Sequence, residues 1–280
     1  LAAAITNGMF RGETQMSIST DLSGRVAIVT GSATGLGASI AKRLAEAGAN
    51  VVINYSRSST EAEATADECR AFGVEVHCVQ ADVSEDADCR KLAQVASQYG
   101  RLDILVNNAG ITKQVPNHAD LAGLDKDDFL RLYSVNVVGP FMMVRAAEDL
   151  LRAAHDKTGI ASAVLNTSSI AGVTGIGSSV AYAASKGAFN TMTLSLARAL
   201  APAIRVNAIC PGFIGTRWFK DYMGEEKYNR MEASVRAATP LQHACDADDI
   251  ADSAMFFLTD ASRHVTGETL LTDAGTHLGF

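Results

Sequence analysis

No apolar run in the sequence approaches the ~20 residues needed to cross a bilayer as a helix, so no membrane span is expected. Positive charge is also in short supply: 24 Lys and Arg stand against 31 Asp and Glu, a formal net charge of −7. Without a basic face, a nucleic-acid partner is not expected. The acidic balance still leaves room for an anionic cofactor, because free backbone amides at a helix N-terminus hold phosphate without side-chain charge. Cysteine is sparse: five residues, odd in number, irregularly spaced and without a CxxC pair. That pattern argues against a disulfide framework and against a metal site, and fits reduced thiols in a cytoplasmic protein. Five prolines and no Ser-rich linker give no reason to divide the chain.

What is present is core-forming material. Of 280 residues, 48% are hydrophobic and 20% charged, enough to fill one large domain. Residues 1–19 read as an N-terminal extension without fixed structure, and 20–280 as one domain. From Arg25 onward, short apolar runs alternate with longer amphipathic ones. Strands are expected at 26–29, 51–53, 74–79, 104–106, 163–165, 204–209 and 269–271. Helices are expected at 36–47, 60–72, 85–99, 126–154, 182–200 and 248–258. Gly48 and Gly73 stand just past two of those helices, the usual place for a C-terminal glycine. Such alternation predicts an α/β fold, a doubly wound parallel sheet in a single Rossmann-type domain.

The first strand runs into Thr30-Gly31-Ser32-Ala33-Thr34-Gly35-Leu36-Gly37. Gly31 suits a tight turn, Gly35 lets the backbone approach a pyrophosphate, and Gly37 lets the helix pack close to the sheet. Tyr182 and Lys186 are four apart on an expected helix and therefore share a face. An ammonium near a phenol favours the phenolate, so the pair is expected to bring the tyrosine toward useful acid/base range.

Several features in a fixed order carry a wider resemblance. They are TGxxxGxG at 30–37, Asp82-Val83 after the third strand, Asn107-Asn108-Ala109-Gly110 after the fourth, and Asn136 in the long helix. Ser169, Tyr-x-x-x-Lys at 182–186, and Pro211-Gly212 with Thr216 complete the set. From about Asp21 to its end the chain resembles the short-chain dehydrogenase/reductase family, in its 3-oxoacyl-carrier-protein-reductase-like branch.

The resemblance implies an oxidoreductase that moves a hydride between a nicotinamide dinucleotide and a carbonyl or alcohol carbon. Asn136, Ser169, Tyr182 and Lys186 are then the catalytic set. Ser169 stands thirteen positions before the tyrosine and would donate to the substrate oxygen, with Ser168 as the alternative. Asn136 would hold a water in a proton path through Lys186. The cofactor would meet Gly31, Ser32, Thr34, Gly35, Leu36 and Gly37. At its adenosine end it would meet Tyr55, Ser56, Arg57, Asp82 and Val83. Further along it would meet Asn108, Ala109, Gly110, Tyr182, Lys186, Pro211, Gly212, Ile214 and Thr216. By alignment with the family, Tyr55 takes the place of the acid that binds a ribose 2′-hydroxyl, and Arg57 with Ser56, Ser58 and Ser59 could hold a 2′-phosphate. NADP(H) is therefore expected in preference to NAD(H).

Residues 213–240 are expected to form a flap, with Trp218, Phe219, Tyr222 and Met223 as an apolar lid over a substrate with an apolar body. His118 reads as an exposed loop residue. The stretch from His155 to Gly159 departs from the short basic turn of carrier-protein reductases, which argues against docking of an acidic carrier. A homotetramer is implied by the resemblance. The competing reading is a nicotinamide-nucleotide sensor or assembly protein without turnover, since a fold alone does not fix function.

Overall fold

A computed structural model describes residues 20–216 and 224–279. The expected N-terminal extension and the lid residues 217–223 lie outside the described residues. The strands are β1 (Val26–Val29), β2 (Asn50–Tyr55), β3 (Val76–Gln80), β4 (Ile104–Asn107), β5 (Ser162–Thr167), β6 (Ile204–Pro211) and β7 (Thr269–Thr272). They form one sheet in the order β3-β2-β1-β4-β5-β6-β7, with every pair parallel. Around it stand α1 (Gly35–Glu46), α2 (Ser59–Arg70), α3 (Asp86–Ala96), α4 (Lys126–Tyr133), α5 (Gly139–Thr158), α6 (Ala171–Thr174), α7 (Val180–Leu200), α8 (Glu225–Ala238) and α9 (Ala247–Leu258). Among the described residues, no helix is long and apolar enough to cross a membrane.

Strand alternation divides the core in two. Ala27 and Val29 of β1 join Ile40 and Leu44 of α1, Ala62 and Ala66 of α2, and Ile250 and Phe257 of α9 on one face. Val26 and Ile28 join Leu92 of α3, Met143 and Leu151 of α5, and Leu200 of α7 on the other. Both faces are covered, which is why the central strands read as unbroken apolar runs. The strand order reverses between β1 and β4, and the crevice outside the carboxyl ends of these two strands is where such sheets take ligands.

Three elements differ from the sequence reading. The helix expected across 126–154 is α4 and α5 joined by a π-helical turn at Ser134–Val138. A π turn inserts one residue into a helix and slips the apolar pattern by a single position, too small a change to end the expected helix. Helix α8 falls in the described part of the expected flap, where the sequence showed only a charged stretch; Tyr228 is its one buried residue. The four-residue α6 follows Ser169 and was not foreseen.

Candidate active site

The glycine loop is held from beneath by Asn54, a polar residue in an otherwise apolar strand. Its Oδ1 accepts from the Gly31 amide at 3.0 Å, and its carbonyl accepts from the Ser32 amide at 2.9 Å. Ser32 is fully buried, and its hydroxyl donates to the Val29 carbonyl at 2.7 Å. Both donors of Ser32 are thus spent inside the protein, and the residue braces the loop rather than presenting a group to a cofactor. The amides left to a phosphate are those of the first turn of α1, which have no intrahelical acceptor. Thr34 precedes that turn, exposed, and its side chain makes no capping bond.

Gly31 and Gly35 have φ of +61° and +59°, values an L side chain rarely adopts. At Gly37 space decides instead: a Cβ there would lie 2.5 Å from both Asn108 Nδ2 and the Gly31 carbonyl oxygen. Asn108 Nδ2 donates to the Thr30 and Gly31 carbonyls, both at 3.0 Å. Thr30 Oγ1 in turn accepts from the Asn108 and Ala109 amides at 2.9 and 3.0 Å. The loops after β1 and β4 are in this way locked into one cradle.

A cavity of about 550 Å³ opens beside this cradle, lined by Gly31, Asn54, Ser56, Arg57, Asp82, Val83 and the Asn108–Ile111 turn. Asp82 accepts from the amide and hydroxyl of Ser84, which together with nearby Arg57 hold its carboxyl below the usual carboxylate range. Tyr55 does not line the cavity. It is half-buried against the core, because alternation along β2 turns it to the face opposite Asn54. A smaller hollow of about 280 Å³ lies between Ser56, Arg57, Gln80, Asp82, Asp88 and Lys91. Lys91 had no place in the sequence reading, since its position on α3 carries no local signal.

A second cavity, of about 640 Å³, shares Asn108, Gly110, Ile111 and Arg131 with the first, so the two form one cleft. Its walls include Leu36, Ser169, Tyr182, Lys186 and the segment from Pro211 through Ile214, with Thr216. Helix α7 starts at Ser179, whose hydroxyl caps it by accepting from the Tyr182 amide at 3.2 Å. Tyr182 and Lys186 then face the cleft from consecutive turns. Lys186 is 4% exposed, and its Nζ donates to the Thr167 carbonyl at 2.8 Å. The same nitrogen lies 5.8 Å from the centroid of the Tyr182 ring.

Burial pushes the Tyr182 phenol above its ordinary value, and a hydrogen bond with the Ser169 side chain acts the other way. Burial pulls the Lys186 ammonium down to about 8. The expected depression of the tyrosine by the lysine is therefore not present. The ammonium is committed to a carbonyl, and desolvation dominates the phenol. The two serines separate cleanly: Ser168 Oγ donates to the Lys186 carbonyl at 3.2 Å, whereas Ser169 faces Tyr182.

Asn136 sits in the π turn, fully buried. Its Nδ2 donates to the Ile111 carbonyl at 3.0 Å and to Ser185 Oγ at 3.1 Å, and its Oδ1 accepts from the Ile111 amide at 2.9 Å. Both amide hydrogens are thus used by protein groups, leaving only a lone pair of Oδ1 for the expected water. In the structure the residue is first a clamp on the Gly110–Ile111 turn. A Cβ on Gly110 would lie 3.3 Å from Asn136 Oδ1 and 3.7 Å from Lys186 Nζ, so the turn passes close over both side chains. His118, expected to be exposed, is part-buried and bonds the Gly177 carbonyl at 3.0 Å, tying the 111–124 loop to the segment before α7.

These features define a Rossmann-type oxidoreductase built for a nicotinamide dinucleotide. Residues 31–277 match the family model described as enoyl-(acyl carrier protein) reductase. A Streptomyces violaceoruber protein named as a ketoacyl reductase of the granaticin polyketide synthase is 39% identical over 254 residues, 90% of this chain and 96% of that one. A solved structure from Burkholderia xenovorans, described as a short-chain dehydrogenase/reductase, is 41% identical with a TM-score of 0.83, covering 91% of this chain and 98% of that one. The Pseudomonas aeruginosa RhlG/NADP active-site complex is 30% identical with a TM-score of 0.83, covering 94% of this chain and all of that one. The chain belongs to the short-chain dehydrogenase/reductase family and is an NAD(P)-dependent oxidoreductase.

Proposed function

We propose that this chain reduces a ketone with an apolar body to a secondary alcohol, taking the hydride from NADPH in preference to NADH. The observation that carries the reading is the convergence of Ser169, Tyr182 and Lys186 on one cleft that continues to the glycine loop. The free first-turn amides of α1 and the bare backbones of Gly31 and Gly35 fit a pyrophosphate. Pro211, Gly212, Ile214 and Thr216 fit the nicotinamide end. When bound, the dinucleotide supplies the hydride.

The protein's part is proton and charge management. Tyr182, with its phenol raised, stays protonated at neutral pH and donates to the substrate oxygen as the carbonyl is reduced. Ser169 donates a second hydrogen bond where negative charge develops. Lys186 is the replenishing acid, and Asn136 positions the Gly110–Ile111 wall beside it. Leu36, Ile111, Phe213 and Ile214 supply apolar surface for the substrate body. Arg57, with Lys91 across the small hollow, supports a 2′-phosphate and hence NADPH.

A free ketone is favoured over a carrier-bound one. Lys157, at the end of α5, is turned onto the Gly100 carbonyl at 3.1 Å and leaves little basic surface there for an acidic carrier. Exposed Val138 and Phe141 on the π turn and α5, with Val180 and Leu194 on α7, support a homotetramer, which a solution mass of four chains would bear out. The test is loss of reduced-nicotinamide absorbance with a panel of ketones, diketones and 3-ketoesters. Turnover with NADPH that vanishes in Tyr182→Phe is expected. Tight NADPH binding without turnover on any carbonyl would favour the sensor reading instead.

A further inference from the structure

We propose that His243, Cys245 and Asp249 form a mononuclear site for a divalent transition-metal cation of the zinc type. Residue spacing does not point to one, because His-x-Cys-x-x-x-Asp matches no common ligand pattern. The fold supplies the convergence. One ligand-capable atom from each of the three residues lies within 4.8 Å of the other two. Ligands around a tetrahedral zinc, at ~2.0–2.3 Å from the metal, stand roughly 3.5 Å apart, so side-chain rotations of about 1 Å would close the set.

Imidazole, thiolate and carboxylate together suit a borderline cation and not calcium or magnesium. His243 Nε2 and Asp249 Oδ2 already share a hydrogen bond of 2.7 Å, so the two side chains face each other. Asp249 can ligate through its second oxygen while Oδ2 keeps accepting from the Asp246 amide at 2.9 Å. Asp246 itself caps α9, accepting from the Asp248 and Asp249 amides, which sets a carboxylate against the positive end of the helix dipole. Cys245 lines a cavity of about 540 Å³ with His243, Glu232 and Arg236, which leaves an open coordination position for water. Arg236, the one cationic residue in that lining among the described residues, is paired with Glu232 at 3.0 Å.

The position gives such a site a purpose. The Gly215 amide donates to the Cys245 carbonyl at 2.8 Å, and Gly215 bridges to Asp246. Thr239, at the end of α8, accepts from the His243 amide at 3.1 Å and donates to the His243 carbonyl at 3.0 Å. A cation here would pin the return of the flap helix to the segment that carries Thr216 into the cleft. The inference does not depend on the substrate or cofactor proposed above, because its readouts are binding and stability.

The test is titration of the metal-free, reduced full-length protein with Co²⁺, followed by Zn²⁺ competition. One cobalt per chain with a thiolate-to-metal charge-transfer band is expected, together with a rise in melting temperature on adding Zn²⁺. The band should be absent in Cys245→Ser. Loss of an outer-shell partner costs ~10–100-fold in metal affinity, so His243→Ala, which removes a direct ligand, should cost more than ~100-fold. Both substitutions fall outside the proposed catalytic set, and circular dichroism of each variant would report folding. Absence of the band, or metal binding of equal strength in wild type and Cys245→Ser, would overturn the proposal.

Discussion

The Nζ of Lys186 lies 2.8 Å from the carbonyl oxygen of Thr167, at the carboxyl end of β5, and nearly out of contact with water. Its pKa, pulled down to about 8 by burial, sets a pH limit. In the ketone reduction proposed above, the protonated lysine is the competent form. As pH rises through about 8 its proton is lost first, because the phenol of Tyr182 is raised rather than lowered. The value of kcat/KM for ketone reduction, which reports the free enzyme, should therefore be level near neutrality and fall above about pH 8. A fall delayed to pH ~10 would assign the limit to another group.

Ser168 and Ser169 offer a paired test. Ser169→Ala should lower kcat by roughly 10²–10³, the scale for losing one donor to a developing oxyanion. Ser168→Ala removes a buried hydrogen bond to the Lys186 carbonyl, and should cost about 1 kcal/mol of stability with a far smaller kinetic effect. Steady-state kinetics beside thermal denaturation of both variants would tell them apart.

Cofactor choice should rest on Arg57. Arg57→Ala is expected to weaken NADPH about tenfold, the equivalent of one charge-assisted hydrogen bond of ~1.5 kcal/mol. NADH should be nearly unaffected. Equal losses for both cofactors would move the 2′-phosphate contact elsewhere, with Lys91 the next residue to replace.

Gly37→Ala should be damaging out of proportion to its size. The new methyl would meet Asn108 Nδ2 and the Gly31 carbonyl oxygen at 2.5 Å. Overpacking of this kind costs roughly 1–3 kcal/mol, and it would fall on the junction of the two loops that form the cradle. A lower melting temperature with weakened dinucleotide binding is expected. Gly73→Ala is a useful control, because nothing lies within 4 Å of a Cβ there, and φ strain is its only cost.

Much of this was legible in the chain itself. The central strands of the parallel sheet were visible because strands buried on both faces become continuous apolar runs such as Val26–Val29; the half-exposed β3 and β7 were read from shorter apolar stretches. The proposed catalytic residues were legible as a spaced set, and the structure brings Ser169, Tyr182 and Lys186 to one wall. What sequence could not give was direction. Tyr55 was expected on the cofactor, but strand alternation packs it half-buried against the core and leaves its neighbour Asn54 to hold the loop. Asn54 did leave a signal, as a lone amide in Val51-Val52-Ile53-Asn54, since a buried amide must find partners. Arg131 left none: its place where the two cavities meet depends on the helix that carries it. The sign of the shift at Tyr182 was missed because charge spacing can be read from sequence and desolvation cannot.

The π turn at Ser134–Val138 separates the scaffold from its chemistry. Such a turn absorbs one added residue while the helices on either side keep their phase. A chain one residue shorter there can therefore still lay α4 and α5 against the same neighbours. It would lose Asn136's grip on Ile111, and with it the wall beside Lys186. The smallest deletion that spares the fold is thus expected to be the one that silences the site.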